Sequence, residues 1–583
     1  MYITNKIKSN KKEYFTIFLA IIINAILFLY ALSKGTSYYI TNDDYRLRLI
    51  SSGAYTGDPS YQLVFIKAFI GYVLQFLYEI NQTIQWYDFY TLLCMYLPTT
   101  YLLYTLIKQK KVIIKLINFF IYFLFYIFIL YKHIMLPQFT IISAFCGLGA
   151  VCSLINLLEA NNFKKKYVTI FLFCVFNLLC FGIRDEIFFM VLVMEVFILI
   201  VNVLIDKSIL KFVFKLSACI IFLCLTVQVV DIITLSNSDY IEFKNYTKSR
   251  SLIYDYYPAP DYELHKEFYD SIGMNADIVN ALQTRTLDVD DSLNTENYNK
   301  VAEYSKSINE QTIYLRVRQS LINTFKCLIS DNIFPQIALV AFLFALAGIN
   351  IMKDKNEKDI FYFLGSIGYI LFGVFILIFR GRIMDRIIEA IILVIMPILF
   401  YIASCKINLK IVIPKEKKKI LLTIMCSAIG ALYLSGTYYI ARDNIYEQIN
   451  NIKTLSMRLE ALQGYAKNHP QNFYFYNALD FIGASDRLFS ASLENEKVLN
   501  MDSLGNWNSK SPNYYKRNKK YGFTSAIDGL VNCKNVYYVE CWDFDSSIEG
   551  LINNKYKKQS SLVEQIIADD GTIINIYEIV NLK

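Results

Sequence analysis

Charge is scarce in this sequence. Asp, Glu, Lys and Arg make up 19% of its 583 residues, whereas soluble domains carry roughly 25% to cover their surface. With 55% hydrophobic residues and a mean hydropathy of +0.35, that shortfall excludes a set of soluble cytosolic domains and a disordered chain. Histidine is rarer still, at three residues, which leaves no His-rich metal site. The twelve cysteines contain no CxxC motif, and most lie in or beside apolar runs as fillers. Only Cys533 and Cys541 fall in the C-terminal tail. An extended strand between them holds them ~26 Å apart at ~3.3 Å per residue, far beyond the ~7 Å a disulfide tolerates. Free thiols are predicted, and a disulfide-built secreted scaffold is excluded. No repeat of solenoid period is visible. What remains is a chain whose solvent is largely lipid.

Long apolar runs are abundant. A hydrocarbon core of ~30 Å needs ~20 residues of helix, and unpaired backbone is not tolerated there. The runs 14–33, 87–107, 113–131, 136–158, 167–183, 187–205, 212–233, 334–352, 360–379, 387–405 and 420–440 are predicted to span, about eleven in all by that length rule. The first is longer than a signal-peptide core and lacks a small-residue cleavage site, so it reads as an uncleaved anchor.

The net charge of +8, from 58 Lys+Arg against 50 Asp+Glu, acts as an orientation signal rather than a nucleic-acid footprint. Lys6, Lys8, Lys11 and Lys12 place the N-terminus in the cytoplasm. Lysines recur in every second loop: Lys108–Lys111, Lys164–Lys166, Lys207–Lys215, Lys353–Lys358 and Lys415–Lys419. This register requires 62–80 to lie at the outer interface instead of crossing, with Lys67 and Glu79 at headgroup level.

Three parts are then predicted outside: a first loop, 34–86; a long insert, 234–333; and a tail, 441–583, large enough for one small domain. The runs Asn472–Asn477, Asn535–Glu540 and Ile573–Val580 read as strands, with an Asp570-Gly571 turn before the last. A helical stretch at 450–466 makes the tail α/β. The expected fold is an α-helical polytopic membrane protein with about eleven spans and a small external α/β C-terminal domain. The expected domains are a transmembrane domain, 1–440, carrying loop and insert, and an extracytoplasmic domain, 441–583.

The sharpest chemical feature is Asn42-Asp43-Asp44-Tyr45, just past the first span. Of two adjacent carboxylates, one can serve as general base while the other binds a metal, a sugar hydroxyl or an arginine. Crowding and burial would raise one pKa toward a base's range. The plainer reading is a turn or helix cap with solvated charges. Arg46, Arg48, Ser52-Gly53, Tyr55, Gly57 and Pro59 follow, then the apolar stretch 62–80, then Trp86.

This order resembles the first external loop of GT-C superfamily glycosyltransferases, such as protein mannosyltransferases and aminoarabinose transferases. There, an acidic pair precedes a short helix, a Gly…Pro turn and a second juxtamembrane helix. The resemblance covers about residues 1–110 in motif, and elsewhere only the architecture. The Asp255-Tyr256-Tyr257 stretch and the tail are also similar to a poorly characterised bacterial set within the group.

The resemblance implies transfer of a sugar, with inversion, from a polyprenyl-phosphate donor to a cell-envelope acceptor (polysaccharide, teichoic acid or protein). It implies an integral, multi-pass location in the cell membrane and places the catalytic acid on Asp43 or Asp44. A divalent cation, Mg or Mn, would sit on the same acids if one is used. No nucleic-acid partner is expected.

Other residues follow from predicted position. Arg380, Arg382 and Arg386 cluster at the outer mouth of two spans, against the positive-inside bias, and suit a lipid phosphate. Asp385 and Glu389 interleave with them, which also fits a local ion-pair network. His133 falls where a carrier phosphate could dock. Arg184, Asp185 and Glu186 form a short external turn that lines a substrate cavity or caps the next helix. Tyr254, Asp255 and Tyr256 offer sugar stacking and hydroxyl recognition, or ordinary packing. Glu195, mid-span, needs a partner or a proton. Asn24 and Asn177 read as interhelical hydrogen-bond formers. A transporter or flippase, or a polymerase or ligase of lipid-linked saccharides, is the alternative function. Transporters are marked by inverted repeats, broken helices and midplane charge, whereas here the two halves differ and the polar residues cluster on the predicted external side.

Overall fold

The computed structural model describes residues 2–34, 37–108, 111–160, 163–309, 312–404, 417–489, 500–541 and 548–582; the side chains of 2–11, 163–165, 417–429 and 431–432 fall outside that description. The chain forms two compact units. The first comprises 1–38, 89–228 and 314–449, and the second comprises 39–88, 229–313 and 450–583.

Among the described residues, ten helices of the chain are long and apolar enough to cross a membrane: Lys12–Leu32, Trp86–Ile107, Val112–Met135, Phe139–Leu158, Lys166–Ile183, Asp185–Ile205, Lys207–Thr234, Phe334–Asp354, Glu357–Phe379 and Asp385–Ser404. The eleventh expected span, 420–440, falls in the helix Lys417–Asn468, and most of its side chains lie outside the described residues.

Two helices form the centre of the first unit: Phe139–Leu158 and Asp385–Ser404 are each 89% buried over their most apolar stretch. The sequence of the former explains its position. Gly147 and Gly149 leave no room for a Cβ: one there would stand 2.3 Å from Val191 and 2.9 Å from Phe176 and Pro98. Small residues allow such close helix approach in lipid, where apolar burial provides little drive. The peripheral helices point Phe18, Phe120, Phe171 and Phe214 outward. Polar residues inside the spans are paired across helices. Asn24 donates to Thr99 and Thr100 and accepts from Tyr122, and Asn177 donates to buried Glu195 at 3.1 Å.

The second unit is built on a five-stranded sheet: β1 Phe473–Tyr476, β2 Met501–Ser503, β3 Val536–Glu540, β4 Lys558–Ile567 and β5 Ile573–Asn581. The spatial order is β2-β1-β3-β5-β4. The β2, β1 and β3 strands run parallel, and β3-β5 and β5-β4 are antiparallel. The expected strands correspond to β1, β3 and β5. The predicted Asp570-Gly571 turn closes the β4–β5 hairpin, with Gly571 at φ +83°.

Alternation along β1 explains why its run of aromatics is buried throughout. Phe473 and Phe475 enter a core with Tyr246, Ile253, Tyr298 and Val301 of the insert. Tyr474 and Tyr476 enter another with Tyr45, Leu459 and Leu462. Successive strand residues face opposite sides, so this central strand needs apolar bodies on both. Gly505 marks a close crossing: a Cβ there would lie 1.4 Å from the Arg285 carbonyl oxygen. Cys533 and Cys541, separated by β3, are free thiols.

The stretch 62–80 contains one helix, Ala68–Ile80, of 13 residues. At ~1.5 Å per residue it reaches ~20 Å, short of a ~30 Å core. Ala68, Ile70, Gly71, Leu74 and Tyr78 are buried, while Tyr72, Val73, Phe76 and Ile80 are exposed. A helix lying in an interface has this two-faced character. Asp231 accepts from its first N–H, Ala68 N, at 2.9 Å.

Candidate functional site

The acidic pair lies in the first turn of the helix Asn42–Ser52. Thr41 is the N-cap, in extended conformation, and Gly53 ends the helix at φ +88°. Carboxylates in a first turn are favoured by the exposed N–H groups and the helix dipole. The motif glycine has a steric reason too: a Cβ on Gly53 would fall 2.6 Å from Pro59 N. The Gly…Pro turn thus folds back against the end of the acid-bearing helix.

The two acids differ in surroundings. Asp43 is half-buried. Asp44 is fully buried and accepts a hydrogen bond from Tyr87 Oη at 3.0 Å. Beside it, Tyr39 Oη donates to Asp88. Burial, reinforced by the Asp88 charge, pushes the Tyr39 phenol well above its ordinary value, so it remains a proton donor at any physiological pH. Arg48 stands 3.7 Å from Asp88 and 2.5 Å from Asp486. The Phe489 N–H donates to the second Asp88 oxygen at 2.8 Å.

The other face of the helix carries Arg46, which reaches into the sheet. It donates to Asp502 Oδ1 at 2.8 Å and to Tyr476 and Ser503 at 3.0 Å. Tyr55, from the motif turn, donates to Asp502 Oδ2 at 2.8 Å. Arg517 bonds the same oxygen at 2.5 Å. Burial alone would raise the Asp502 carboxyl, but Arg517 and Arg46 outweigh it and hold it below the usual carboxylate range. Nothing in their local sequence singles out Asp502 or Arg517. A dense polar stretch from Asn500 to Asn518 between β-rich runs was the one available signal.

In the first unit, Lys132 Nζ bonds Glu389 Oε1 at 2.5 Å, and His133 Nε2 lies 3.8 Å from Glu389 Oε2. Gln336 donates to the same acid at 3.3 Å. All four side chains are buried. A π-helical turn, Tyr126–Leu130, precedes the helix Tyr131–Met135 that carries Lys132 and His133; such turns recur at functional sites. His133 is therefore grouped with Lys132 and Glu389. The three expected arginines are spread over the end of one helix, the connection after it and the start of the helix Asp385–Ser404. Arg380 is exposed and ends the helix Glu357–Phe379, Arg382 is half-buried, and Arg386 approaches Met384 Sδ at 3.3 Å. Arg316, which the sequence did not single out, lies over the Phe379 ring at 4.5 Å and donates to its carbonyl.

Two other expected groups have structural partners. Arg184 is the N-cap of the helix Asp185–Ile205, with Asp185 and Glu186 in its first turn, and pairs with Glu186 at 2.8 Å. Tyr254 donates to the Leu282 carbonyl at 2.6 Å and lies under Arg285. Asp255 ends the helix Ser238–Asp255, and Tyr256 contacts the Tyr257 ring. Among the described residues no group of three or more His, Cys, Asp or Glu could hold a metal ion.

Among the described residues, ten helices long and apolar enough to cross a membrane and a mixed α/β unit assembled from three separate segments define a polytopic helical membrane protein. No protein-family model and no curated protein matches the chain. Two solved structures are similar to it along its length: ArnT from Cupriavidus metallidurans in the apo state, and the same protein bound to undecaprenyl phosphate. Each alignment covers 96% of this chain and 97% of ArnT at 8% identity, with TM-scores of 0.41 and 0.39.

Proposed function

We propose that the chain is an integral membrane glycosyltransferase that moves a sugar from a polyprenyl-phosphate carrier to a cell-envelope acceptor on the outer face. The observation that carries this reading is the first-loop helix. It presents Asp43 and Asp44 together in its first turn, in the motif order of the GT-C loop, with Asp44 buried and tied to Tyr87. Sugar transfer needs a base to take the proton of an acceptor hydroxyl. That oxygen then bonds to the anomeric carbon from the face opposite the leaving group, and the bond from that carbon to the phosphate oxygen breaks. The lipid phosphate leaves with the electron pair. An adjacent acid pair suits the first step, because one carboxylate can take the proton while the other binds a hydroxyl or an arginine.

The leaving phosphate calls for cations, and Arg380, Arg382 and Arg386 are the residues proposed for that role. An outer-face active site with a cytoplasmic N-terminus agrees with the lysine alternation. It also agrees with the need for a lipid-carried donor where nucleotide sugars are not made. A divalent ion requires only one or two carboxylates plus phosphate oxygens and water, which Asp43 and Asp44 could furnish. The reading needs no step through it.

The test is transfer from a synthetic polyprenyl-phosphate sugar by purified protein carrying Asp43→Asn or Asp44→Asn. Loss of transfer in at least one variant, with normal membrane insertion, supports the assignment. Full activity in both removes it.

A further inference from the structure

Ten polar side chains between Asn500 and Asn518 are each less than 9% exposed, in a protein whose polar residues are ordinarily at the surface. Most are satisfied locally. Asn500 donates to three carbonyls, Ser511 caps the helix Pro512–Lys520, and Ser509 accepts from Asn506 N. Five buried atoms have no hydrogen-bond partner in the protein: Trp507 Nε1, both amide atoms of Asn508, Arg517 Nε and Asn518 Nδ2. Orphaned buried polar atoms are rare in folded chains, and each calls for a reason.

Three of the four residues, Asn508, Arg517 and Asn518, belong to one connected network, and Trp507 adjoins Asn508 in the chain. Asn508 N donates to Asn506 Oδ1, Asn506 contacts Asp502 and Ser503, Asp502 binds Arg517, and Arg517 donates to Asn518 Oδ1. That last bond fixes the Asn518 amide, so its free Nδ2 is a donor. The orphans are thus four donor groups and one acceptor, the Asn508 carbonyl oxygen. Charge has the same bias, since Arg46 and Arg517 share the one carboxylate of Asp502. The faces of Arg517 are lined by aromatic rings, Tyr55 at 4.6 Å and Phe473 and Tyr514 at 5.1 Å, so its unused hydrogen-bonding capacity lies in the Nε–H edge.

We infer that this network in the second unit is a binding site for an oxyanion borne on a sugar, a carboxylate or a phosphate. The donor excess and the unbalanced guanidinium take the anion. The Asn508 carbonyl oxygen, the single acceptor, takes a neighbouring hydroxyl. The Trp507 indole, packed on Phe65 at 4.9 Å, supplies the amphipathic edge that sugars use. The site does not depend on the transfer reading, and its failure would leave the Asp43 and Asp44 test untouched.

The experiment is thermal unfolding of the full chain in detergent, titrated with glucuronate, glucose 6-phosphate, inorganic phosphate, glucose and matched NaCl. A saturable rise in Tm is expected with glucuronate or glucose 6-phosphate, and none with glucose or NaCl. Response to glucuronate identifies a carboxylate, and response to glucose 6-phosphate above inorganic phosphate identifies a sugar phosphate. Asn508→Leu removes two orphan atoms while keeping the branched side-chain shape, so the relief of two unpaired polar atoms offsets the cost of the larger side chain and the ligand-free Tm should hold, while binding weakens about tenfold or more. No saturable response to either charged sugar overturns the inference, as do an equal response to glucose and wild-type binding by Asn508→Leu. A higher Tm in Asn508→Leu with no ligand response in either protein identifies the orphans as the lining of buried water.

Discussion

Two helices of this chain open on adjacent acids. Asp43 and Asp44 begin Asn42–Ser52, and Asp185 and Glu186 begin Asp185–Ile205. Both pairs sit in a first turn, where exposed N–H groups favour carboxylates. Local sequence therefore explains both equally and separates neither. The difference lies in what surrounds them. Asp44 is buried and takes a tyrosine hydroxyl from 43 residues away. Glu186 keeps 65% of its side chain exposed and pairs with the arginine two residues before it. An acid satisfied by its own turn is a cap, whereas an acid brought inside by the fold has been given a further reason to be there.

The sharpest way to break this comparison is kinetic. Under the proposed function, Asp44→Asn keeps size and most hydrogen bonding but removes a candidate base. Transfer should fall by about 10²–10⁴-fold, with little change in expression or Tm. Single-turnover transfer from a polyprenyl-phosphate sugar measures it. If Glu186→Gln were to cost more than Asp44→Asn in the same assay, the comparison would reverse and the chemistry would move to the second pair.

The next largest effect is on stability. Asp502 neutralises two buried arginines, so Asp502→Asn leaves both without a counter-charge. Breaking a buried pair in this way costs about 3–5 kcal/mol, and the Tm of the variant should drop accordingly. The sign of the pH dependence is set by the same contacts. Burial opposes ionisation of Asp502, yet Arg517 and Arg46 hold its pKa below the ordinary carboxylate value. Its contribution is complete above about pH 4 and is lost as pH falls through the lower, folded-state pKa. Acid unfolding of the wild type should therefore be steeper below pH 4 than that of Asp502→Asn. Parallel acid limbs would show that Asp502 is not the group responsible.

How legible each part was follows from the distance over which its cause acts. The ten spans were readable because each is set by its own composition over about 20 residues. Strands β1, β3 and β5 were readable from their aromatic and β-branched runs. The short β2, Met501–Ser503, carries no such local signal, and in the edge strand β4 the apolar Val563, Ile566 and Ile567 are interrupted by Glu564 and Gln565. Asp43 and Asp44 stood out through spacing. Asp502 did not, because its meaning comes from Arg46, 456 residues earlier. Lys132 is silent for a related reason: next to a span it looks like an interfacial lysine, and only the fold pairs it with Glu389.

A smaller effect separates the cations. Arg382 is half-buried on the turn after Glu357–Phe379, whereas Arg380 is exposed. Under the proposed function, Arg382→Gln should raise the apparent KM for the lipid-linked donor by about tenfold, the size of one charge-assisted hydrogen bond, with a smaller change for Arg380→Gln. Unchanged donor KM in Arg382→Gln would return the turn to a purely structural role.

The smallest expected effect completes the contrast with which the acids began. Glu186→Gln removes a half-exposed ion pair with Arg184 while retaining a side chain that can still accept a hydrogen bond. Exposed pairs of this kind contribute about 0–1 kcal/mol, and the helix-start interaction adds a few tenths more. The Tm should move little, and transfer should stay within about twofold of wild type, equivalent to about 0.4 kcal/mol. Raising ionic strength screens exposed charge far more than buried charge. Salt should therefore erase what difference remains for Glu186→Gln while leaving the deficit of Asp44→Asn intact. A Glu186→Gln defect that survives high salt would mean that the second acid pair is also held away from solvent during turnover.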